Sequence, residues 1–279
     1  NANETSVEMG TPSQIYTTSE IELWMTLAQL LERRTFGSYF DGENVDEMIY
    51  KMKGIRELNI SNCGYKDFPD CLTLLKNLET LNAASNNLSR FPEVLRTLPN
   101  LQKIDLSRNK VTSIPVWLPE LRKISKLDIS INELTELPDN IHTLSNLEKL
   151  NVGYNHLSCL PANITLMSKL LELDAYKNEI TELPENFETM TQMVWLDLDS
   201  NNITKVPIEM NDWNQLEHFS IANNPVFKEG LPKNLKRKAD SSRKEYILYV
   251  SLFVLTILFV IFLIPLMPKF LTFMKTPIK

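Results

Sequence analysis

The sequence predicts an α/β solenoid with a parallel concave sheet of eight strands, a helical cap at its N-terminal end and one C-terminal transmembrane helix. The first observation is a phrase that recurs every 23 residues, eight times, without insertion or deletion. A regular period of this length is typical of a solenoid, in which each repeat packs only on its neighbours. The second observation is Tyr246–Met267, a segment of 22 residues without a charged side chain. The eight phrases begin at Ile55, Leu78, Leu101, Ile124, Leu147, Leu170, Met193 and Leu216.

Each phrase alternates apolar and polar residues at its start, as a strand with one buried face does. Leu101–Asn109 reads L-Q-K-I-D-L-S-R-N, and a hydrophobe at Val111 and an Ile-Pro pair at 114–115 follow. The shared framework, L-x-x-L-x-L-x-x-N-x-L-x-x-L-P, resembles the leucine-rich repeat family. The 23-residue length is similar to the repeats of its Ras-group and Scribble-type cytosolic members. The resemblance covers about 60% of the chain, and it implies that each strand lines the concave face of the solenoid.

One asparagine recurs at the same place in seven of the repeats. We expect its buried amide to bond backbone groups of its own and neighbouring turns, where an unpaired group would cost about 1–3 kcal/mol. Cys63 takes this place in the first repeat. The column consists of Asn86, Asn109, Asn132, Asn155, Asn178, Asn201 and Asn224.

The N-terminal part divides into a flexible polar arm, residues 1–18, and a helical cap, residues 19–54, before a solenoid over residues 55–232. Ser19 with Glu22 forms a capping-box pattern, so a helix should begin near Ser19. A second short helix is expected over Val45–Lys53. Ile21, Trp24 and Leu27 share one face of the first helix. This face either covers the hydrophobic end of the solenoid or binds a partner.

The C-terminal part is predicted to be a basic juxtamembrane linker over residues 233–245, a transmembrane helix over 246–267 and a short tail over 268–279. A bilayer core needs about 20 apolar residues. Six basic residues precede the span and three follow it, so the positive-inside rule places the repeats in the cytosol. The layout is similar to that of tail-anchored leucine-rich repeat proteins of the endoplasmic reticulum, and an endomembrane location is favoured. We expect the basic cluster to contact anionic lipid headgroups. Its members are Lys236, Arg237, Lys238, Arg243 and Lys244.

Two other membrane arrangements stay open. One is a single-pass receptor in the plasma membrane with extracellular repeats, and five Asn-x-Ser/Thr sequons are compatible with it. The other is a non-catalytic accessory subunit of a larger membrane complex. Three scattered cysteines, Cys63, Cys71 and Cys159, form no disulfide-cap pattern and favour a reducing compartment.

Charge and motifs exclude several functions. Residues 1–227 hold 19 basic and 32 acidic side chains, a net charge of −13, which argues against binding to a nucleic-acid backbone. The sequence contains no phosphate-binding glycine loop and no H-E-x-x-H motif. We therefore expect no catalysis, no cofactor, no metal and no small-molecule substrate.

The outward-facing strand positions predict a protein-binding surface on the concave face. Three lysines in the middle of the array stand next to Asp105, Asp128 and Asn151, which should neutralise that zone. Aromatic and acidic side chains gather towards the C-terminal end, where we expect a protein partner with a basic surface to bind. The alternative is a solvated face with incidental aromatics. The candidate residues are Tyr154, Tyr176, Trp195, Asp174, Asp197, Asp199, Lys103, Lys126 and Lys149.

Overall fold

The computed structural model describes residues 18–31 and 45–242. Eight three-residue strands form one parallel sheet in sequence order. Because the repeats have equal length, each strand pairs with the residue 23 positions on, as Thr80 pairs with Lys103. The prediction of an eight-stranded parallel solenoid is confirmed. The strands are β1 Glu57–Asn59, β2 Thr80–Asn82, β3 Lys103–Asp105, β4 Lys126–Asp128, β5 Lys149–Asn151, β6 Glu172–Asp174, β7 Trp195–Asp197 and β8 His218–Ser220.

A short 3-10 helix returns the chain on the convex side of each of seven repeats. Most of these helices follow the proline of the repeat framework, whose fixed φ ends the extended segment before it. Their hydrophobic residues, such as Leu95 and Ile141, point into the core. The 3-10 helices are Asp70–Leu74, Glu93–Thr97, Leu118–Glu120, Asp139–Thr143, Ala162–Leu166, Phe187–Thr189 and Ile208–Asp212.

The asparagine column forms a hydrogen-bonded ladder through the solenoid. Asn155 is typical: its amide donates to Ile129 O at 3.1 Å in the preceding repeat and to Val152 O at 3.0 Å in its own. Its Oδ1 accepts the backbone N–H of Leu134 at 2.9 Å. All seven asparagines of the column are buried. Each amide therefore joins two neighbouring coils, as the sequence predicts.

Two helices precede the sheet, α1 at Thr18–Leu31 and α2 at Val45–Lys53. Trp24 and Leu27 of α1 are buried in the same core as the repeats, together with Ile49 and Met52 of α2. The first coil is therefore covered by apolar side chains rather than exposed to water.

The C-terminal end differs from the linker that the sequence predicts. After the short helix α3, Pro225–Glu229, residues 233–242 form a further helix, α4. Leu235 and Ala239 of α4 are buried against the last coil. The sequence does not predict this helix, in which apolar side chains at helical spacing are interleaved with the basic ones of the predicted linker.

No helix among the described residues is long and apolar enough to cross a bilayer. The predicted span, 246–267, the predicted tail, 268–279, and all of the predicted arm 1–18 except Thr18 lie outside the described residues.

Candidate protein-binding surface

The strand register places the candidate side chains in straight columns on the concave face. Lys126, Lys149, Glu172 and Trp195 are successive neighbours in one column, and His218 follows Trp195. The second column holds Asp174 and Asp197 beside each other. The structure thus brings the predicted residues onto one surface, as the 23-residue period requires.

Two ring pairs lie towards the C-terminal half of this surface. The Trp195 ring stacks on His218 with centroids 3.5 Å apart and an interplanar angle of 11°. Tyr154 and Tyr176 meet edge to face at 5.0 Å, and the Lys177 ammonium lies 4.5 Å from the centre of the Tyr154 ring. Trp195 remains 42% exposed and Tyr154 41% exposed. Neighbouring side chains hold both rings in place, and the exposed part of each ring is accessible for contact with a partner.

Backbone geometry fixes the position of Tyr154. It has a φ of 53°, and the same position in the other repeats also has positive φ. This conformation costs roughly 1–2 kcal/mol for an ordinary residue, and asparagine tolerates it best. Asn62 and Asn223 occupy the position in the first and last repeats. A tyrosine there is a large side chain that the backbone does not favour.

The carboxylates of the second column have a structural role as well. Oδ1 of Asp197 accepts the N–H of Asp199 at 2.9 Å, and Oδ1 of Asp174 accepts that of Tyr176 at 3.0 Å. Burial, with a smaller contribution from the nearby carboxylates of Asp174 and Asp199, raises the pKa of Asp197 to about 7 against the opposing effect of the hydrogen bond from the Asp199 N–H. Burial likewise raises the pKa of Asp174. These two acids are costly to ionise until a cation approaches them.

Asp199 and Tyr176 extend this polar region. Asp199 accepts hydrogen bonds from Ser200 Oγ at 2.9 Å and Asn223 Nδ2 at 2.9 Å. The hydrogen bond between the Tyr154 and Tyr176 hydroxyls raises the pKa of Tyr176 to about 12, and burial contributes to the rise. Tyr176 therefore stays neutral over the physiological range and presents a hydroxyl group rather than a charge.

Among the described residues, the lysines in the middle of the face form no direct ion pair with the aspartates beside them. Lys149 forms its ion pair with Glu172 of the next strand, at 2.5 Å. Lys103 and Lys126 form no ion pair with any residue that the structure describes. Residues two apart on one strand stand about 7 Å apart, and Asp128 instead accepts a hydrogen bond from Asn151 at 3.1 Å. Lys103 and Lys126 therefore stand in the middle of the face without a direct ion pair, with Asp105 and Asp128 in the next column.

A shallow depression of about 210 Å³ connects the two halves of the surface. Trp195 lines one end of it, and Lys126 and Lys149 line the other. Asp174 and Glu172 lie between them. The depression is open and polar, which suits a peptide segment better than a buried small molecule.

Two contacts were not predicted, although the period could have revealed them. His218 is 23 residues after Trp195, and Lys177 is 23 residues after Tyr154. Each pair therefore shares a column and lies about one strand spacing apart. A search of each column for pairs of neighbouring aromatic rings, or of a ring and a cation, would have identified both contacts.

The chemistry of the described residues offers no metal site, because no group of three or more His, Cys, Asp or Glu side chains lies close enough together among them. Cys63, Cys71 and Cys159 are free thiols.

The predicted membrane-flanking basic residues separate into three groups. Lys236 and Arg237 are exposed on α4. Lys238 is half-buried, and its Nζ donates to the carbonyl of Trp213 at 3.1 Å and to that of Leu216. The Lys238 ammonium thus caps the last coil, a role that the sequence does not predict for it. Arg243 and Lys244 lie outside the described residues.

Comparison with known proteins agrees with this geometry. Residues 76–121 match the family model described as Leucine Rich repeats (2 copies). No curated protein sequence matches the chain.

Solved structures share the fold at low identity. An LRR protein of Leptospira interrogans is 25% identical with a TM-score of 0.54, and the alignment covers 64% of this chain and 51% of that one. The LRR ectodomain of the plant membrane receptor kinase GASSHO1/SCHENGEN3 from Arabidopsis thaliana, in complex with CASPARIAN STRIP INTEGRITY FACTOR 2, is 27% identical with a TM-score of 0.52 over 57% of this chain and 20% of that one.

The plant peptide hormone receptor RGFR1 in complex with RGF2 is 25% identical with a TM-score of 0.50, over 57% of this chain and 26% of that one. The chain thus spans about half or less of the length of these structures. The 23-residue framework, the parallel sheet and these matches together show that the chain is built from leucine-rich repeats.

Proposed function

We propose that this chain is a membrane-anchored scaffold or adaptor that binds a protein partner on the C-terminal half of its concave sheet and has no catalytic activity. The observation that carries the proposal is the exposure of Trp195 and Tyr154, two large rings held by stacking and edge contacts. Tyr and Trp are enriched among the residues that dominate binding energy at interfaces. Leucine-rich repeat proteins are in general binding modules rather than enzymes.

The charge of the surface favours a basic segment at its C-terminal end. Asp174 and Asp197 are carboxyl groups whose pKa is raised mainly by burial, because no cation near them among the described residues offsets the cost of desolvating the charge. A Lys or Arg side chain placed between them and the Trp195 ring would gain both charge pairing and a cation–π contact. Lys103 and Lys126 favour an acidic or polar group at the other end of the same segment.

The solved complexes support a peptide-like partner. GASSHO1/SCHENGEN3 and RGFR1 were each determined in complex with a second molecule, and RGFR1 is a peptide hormone receptor. We infer from their shared fold that an extended segment is the form of partner suited to this sheet.

Membrane anchorage rests on the sequence of residues 246–267, which have the length and composition of a bilayer span. With the heavier basic flank before the span, we propose that the repeats are on the cytosolic side of an endomembrane.

The test is a selection of random displayed peptides on the immobilised full chain in detergent, without counter-selection, followed by measurement of the affinity of each enriched peptide for the wild type and for Trp195→Ala. We expect enriched peptides to contain Lys or Arg beside an apolar residue, and to lose binding at least tenfold on Trp195→Ala, an effect of about 1.4 kcal/mol. Tyr50→Ala is the matched control, because Tyr50 lies on α2 away from the sheet and is 81% exposed. Enriched peptides that bind Trp195→Ala as well as the wild type would overturn the proposal.

A second candidate is a single-pass receptor with extracellular repeats. The observation that favours it is that Asn87 and Asn202, both in sequons, are exposed. An N-glycan would fit at either position. A mobility shift after enzymatic deglycosylation of the protein from its native membrane would select this candidate over the cytosolic one.

A further inference from the structure

Helix α4 has two chemically different faces. Leu235, Ala239 and Ser242 are buried, and Lys238 is half-buried among them. Lys233, Lys236, Arg237, Asp240 and Ser241 are exposed, at the spacing of the opposite face of a helix. One face therefore packs on the solenoid while the other, carrying three cations and one carboxylate, meets solvent.

The inner face completes the last coil through polar contacts as well as apolar ones. Ser242 Oγ accepts the N–H of Phe219 in β8 at 3.2 Å. Asn234 N–H donates to Asn211 Oδ1 at 2.9 Å, and Lys238 donates to the carbonyls of Trp213 and Leu216. Backbone groups that a ninth repeat would otherwise satisfy are thus satisfied by α4. The helix is fixed in orientation by these bonds, so its outer face is fixed too.

The outer face forms an open basic depression. Lys233, Lys236 and Arg237 line it with Asp240 and Ser241, and its volume is about 430 Å³. No residue that the structure describes forms an ion pair with these three cations. They are therefore available to an external anion.

The position of this face in the sequence indicates which anion it meets. Only three residues separate Ser242 from Tyr246, where the uncharged segment begins, and even a fully extended connection of this length spans less than about 15 Å. Electrostatic attraction to an anionic leaflet falls off over about 8 Å at physiological salt. The rest of the body is strongly acidic, so it would be repelled by the same surface. Among the described elements, α4 is the basic one that is nearest in sequence to the predicted span.

We infer that α4 is both the C-terminal cap of the repeats and a lipid contact, whose outer face binds the phosphate headgroups of anionic lipids. This inference rests on the proposed membrane anchorage and extends it. The anchor holds the chain at the bilayer, and the outer face of α4 fixes how the rigid array stands on it. Although the three residues are consecutive, Lys238 hydrogen-bonds to the last coil, whereas Lys236 and Arg237 point outwards to contact lipid.

The experiment is hydrogen exchange of the full chain in lipid nanodiscs, read by mass spectrometry on peptides that cover residues 233–242. The discs contain either phosphatidylcholine alone or an equimolar mixture with phosphatidylserine. We expect the mixture to slow exchange in α4 by about fivefold or more, since one basic side chain near an anionic surface contributes the equivalent of about a fivefold change. Lys236→Gln/Arg237→Gln should lose this lipid dependence but keep the slow exchange of β8.

The matched control is Lys110→Gln/Lys205→Gln, which removes the same charge from exposed positions on the repeats and should keep the full lipid dependence. Equal exchange of wild-type α4 in both lipids would overturn the inference. So would an equal slowing by inorganic phosphate in phosphatidylcholine discs, which would assign the face to a free anion. Resistance of the wild-type chain to alkaline carbonate extraction from membranes tests the anchor separately, so failure of the anchor and failure of the lipid contact give different results.

Discussion

At the scale of single residues, Asp197 serves both the repeat framework and the candidate site. Its Oδ1 accepts the Asp199 N–H, a bond that Asn151 also makes to Gly153 in another repeat. An amide can therefore replace the carboxylate without loss of the turn. What an amide cannot provide is the charge that the site offers to a basic partner.

Asp197→Asn is expected to stabilise the fold in a pH-dependent way. The folded-state pKa of Asp197 is raised to about 7 from 3.8, so the stabilisation linked to its proton is complete below the unfolded pKa and is lost as pH rises through about 7. Above that pH the variant should be more stable than the wild type by about 1 kcal/mol or more, and the difference should shrink as pH falls towards 4. Chemical unfolding at a series of pH values measures it, with Asp105→Asn as the control at the same position of another repeat. A pH-independent difference would contradict the expectation.

A substitution in the asparagine ladder should be among the most damaging in the chain. Asn155→Ala removes bonds to Ile129 O, Val152 O and Leu134 N and leaves these backbone groups unpaired in the core. At about 1–3 kcal/mol for each unsatisfied group, we expect a loss of about 3 kcal/mol or more in the free energy of unfolding.

Cys63→Ala provides the comparison for this prediction, because Cys63 stands at the same position of the first repeat and no repeat precedes it. Its side chain donates only to Ser61 O, at 3.2 Å. We expect Cys63→Ala to cost less than half of what Asn155→Ala costs. Equal losses, measured by denaturant unfolding, would show that the amide does not join the coils.

At the scale of elements, the sequence predicts the sheet almost completely and the C-terminal end poorly. The strands follow from a fixed 23-residue period. Once the apolar positions are known, this period determines the strand register and which side chains point into the core. Helix α4 was not predicted because basic residues dominate its composition, and only a few of its residues, such as Leu235 and Ala239, pack into the core. The absence of lysine–aspartate ion pairs has a different reason. Residues two apart on one strand stand about 7 Å apart, and one oxygen of Asp105 and of Asp128 accepts a backbone N–H.

Helix α4 gives the prediction at this scale. Leu235→Asp places a charge where the side chain is fully buried, and we expect the last coil to open locally at a cost of about 3 kcal/mol. Hydrogen exchange of β8, His218–Ser220, should accelerate by about 100-fold, while β3 keeps its protection. Lys236→Asp, one position along and exposed, should leave β8 protected. Unchanged exchange in Leu235→Asp would mean that α4 does not cap the array.

At the scale of the whole molecule, charge is distributed unevenly along the chain: the repeats are acidic and the segment that follows them is basic. Residues 1–227 carry a net charge of −13, whereas Lys228–Glu245 carries seven basic and three acidic residues. The candidate site lies in the acidic part, and the residues proposed to contact lipid lie in the basic part. Under the proposed function, partner binding and membrane contact would therefore use opposite charges, and a basic partner would be attracted to the concave face rather than to α4.

The cytosolic orientation proposed for the repeats rests on the same charge distribution. Six basic residues before the predicted span and three after it favour retention of the N-terminal side in the cytosol. In sealed microsomes that contain the full chain, added protease should therefore digest the repeats without detergent, leaving a small membrane-embedded fragment. A lumenal resident protein, degraded only after detergent, serves as the control for sealing. Protection of the repeats until detergent is added would place them on the opposite side, where the exposed sequon at Asn202 would be open to glycosylation and the partner would be a lumenal or extracellular segment.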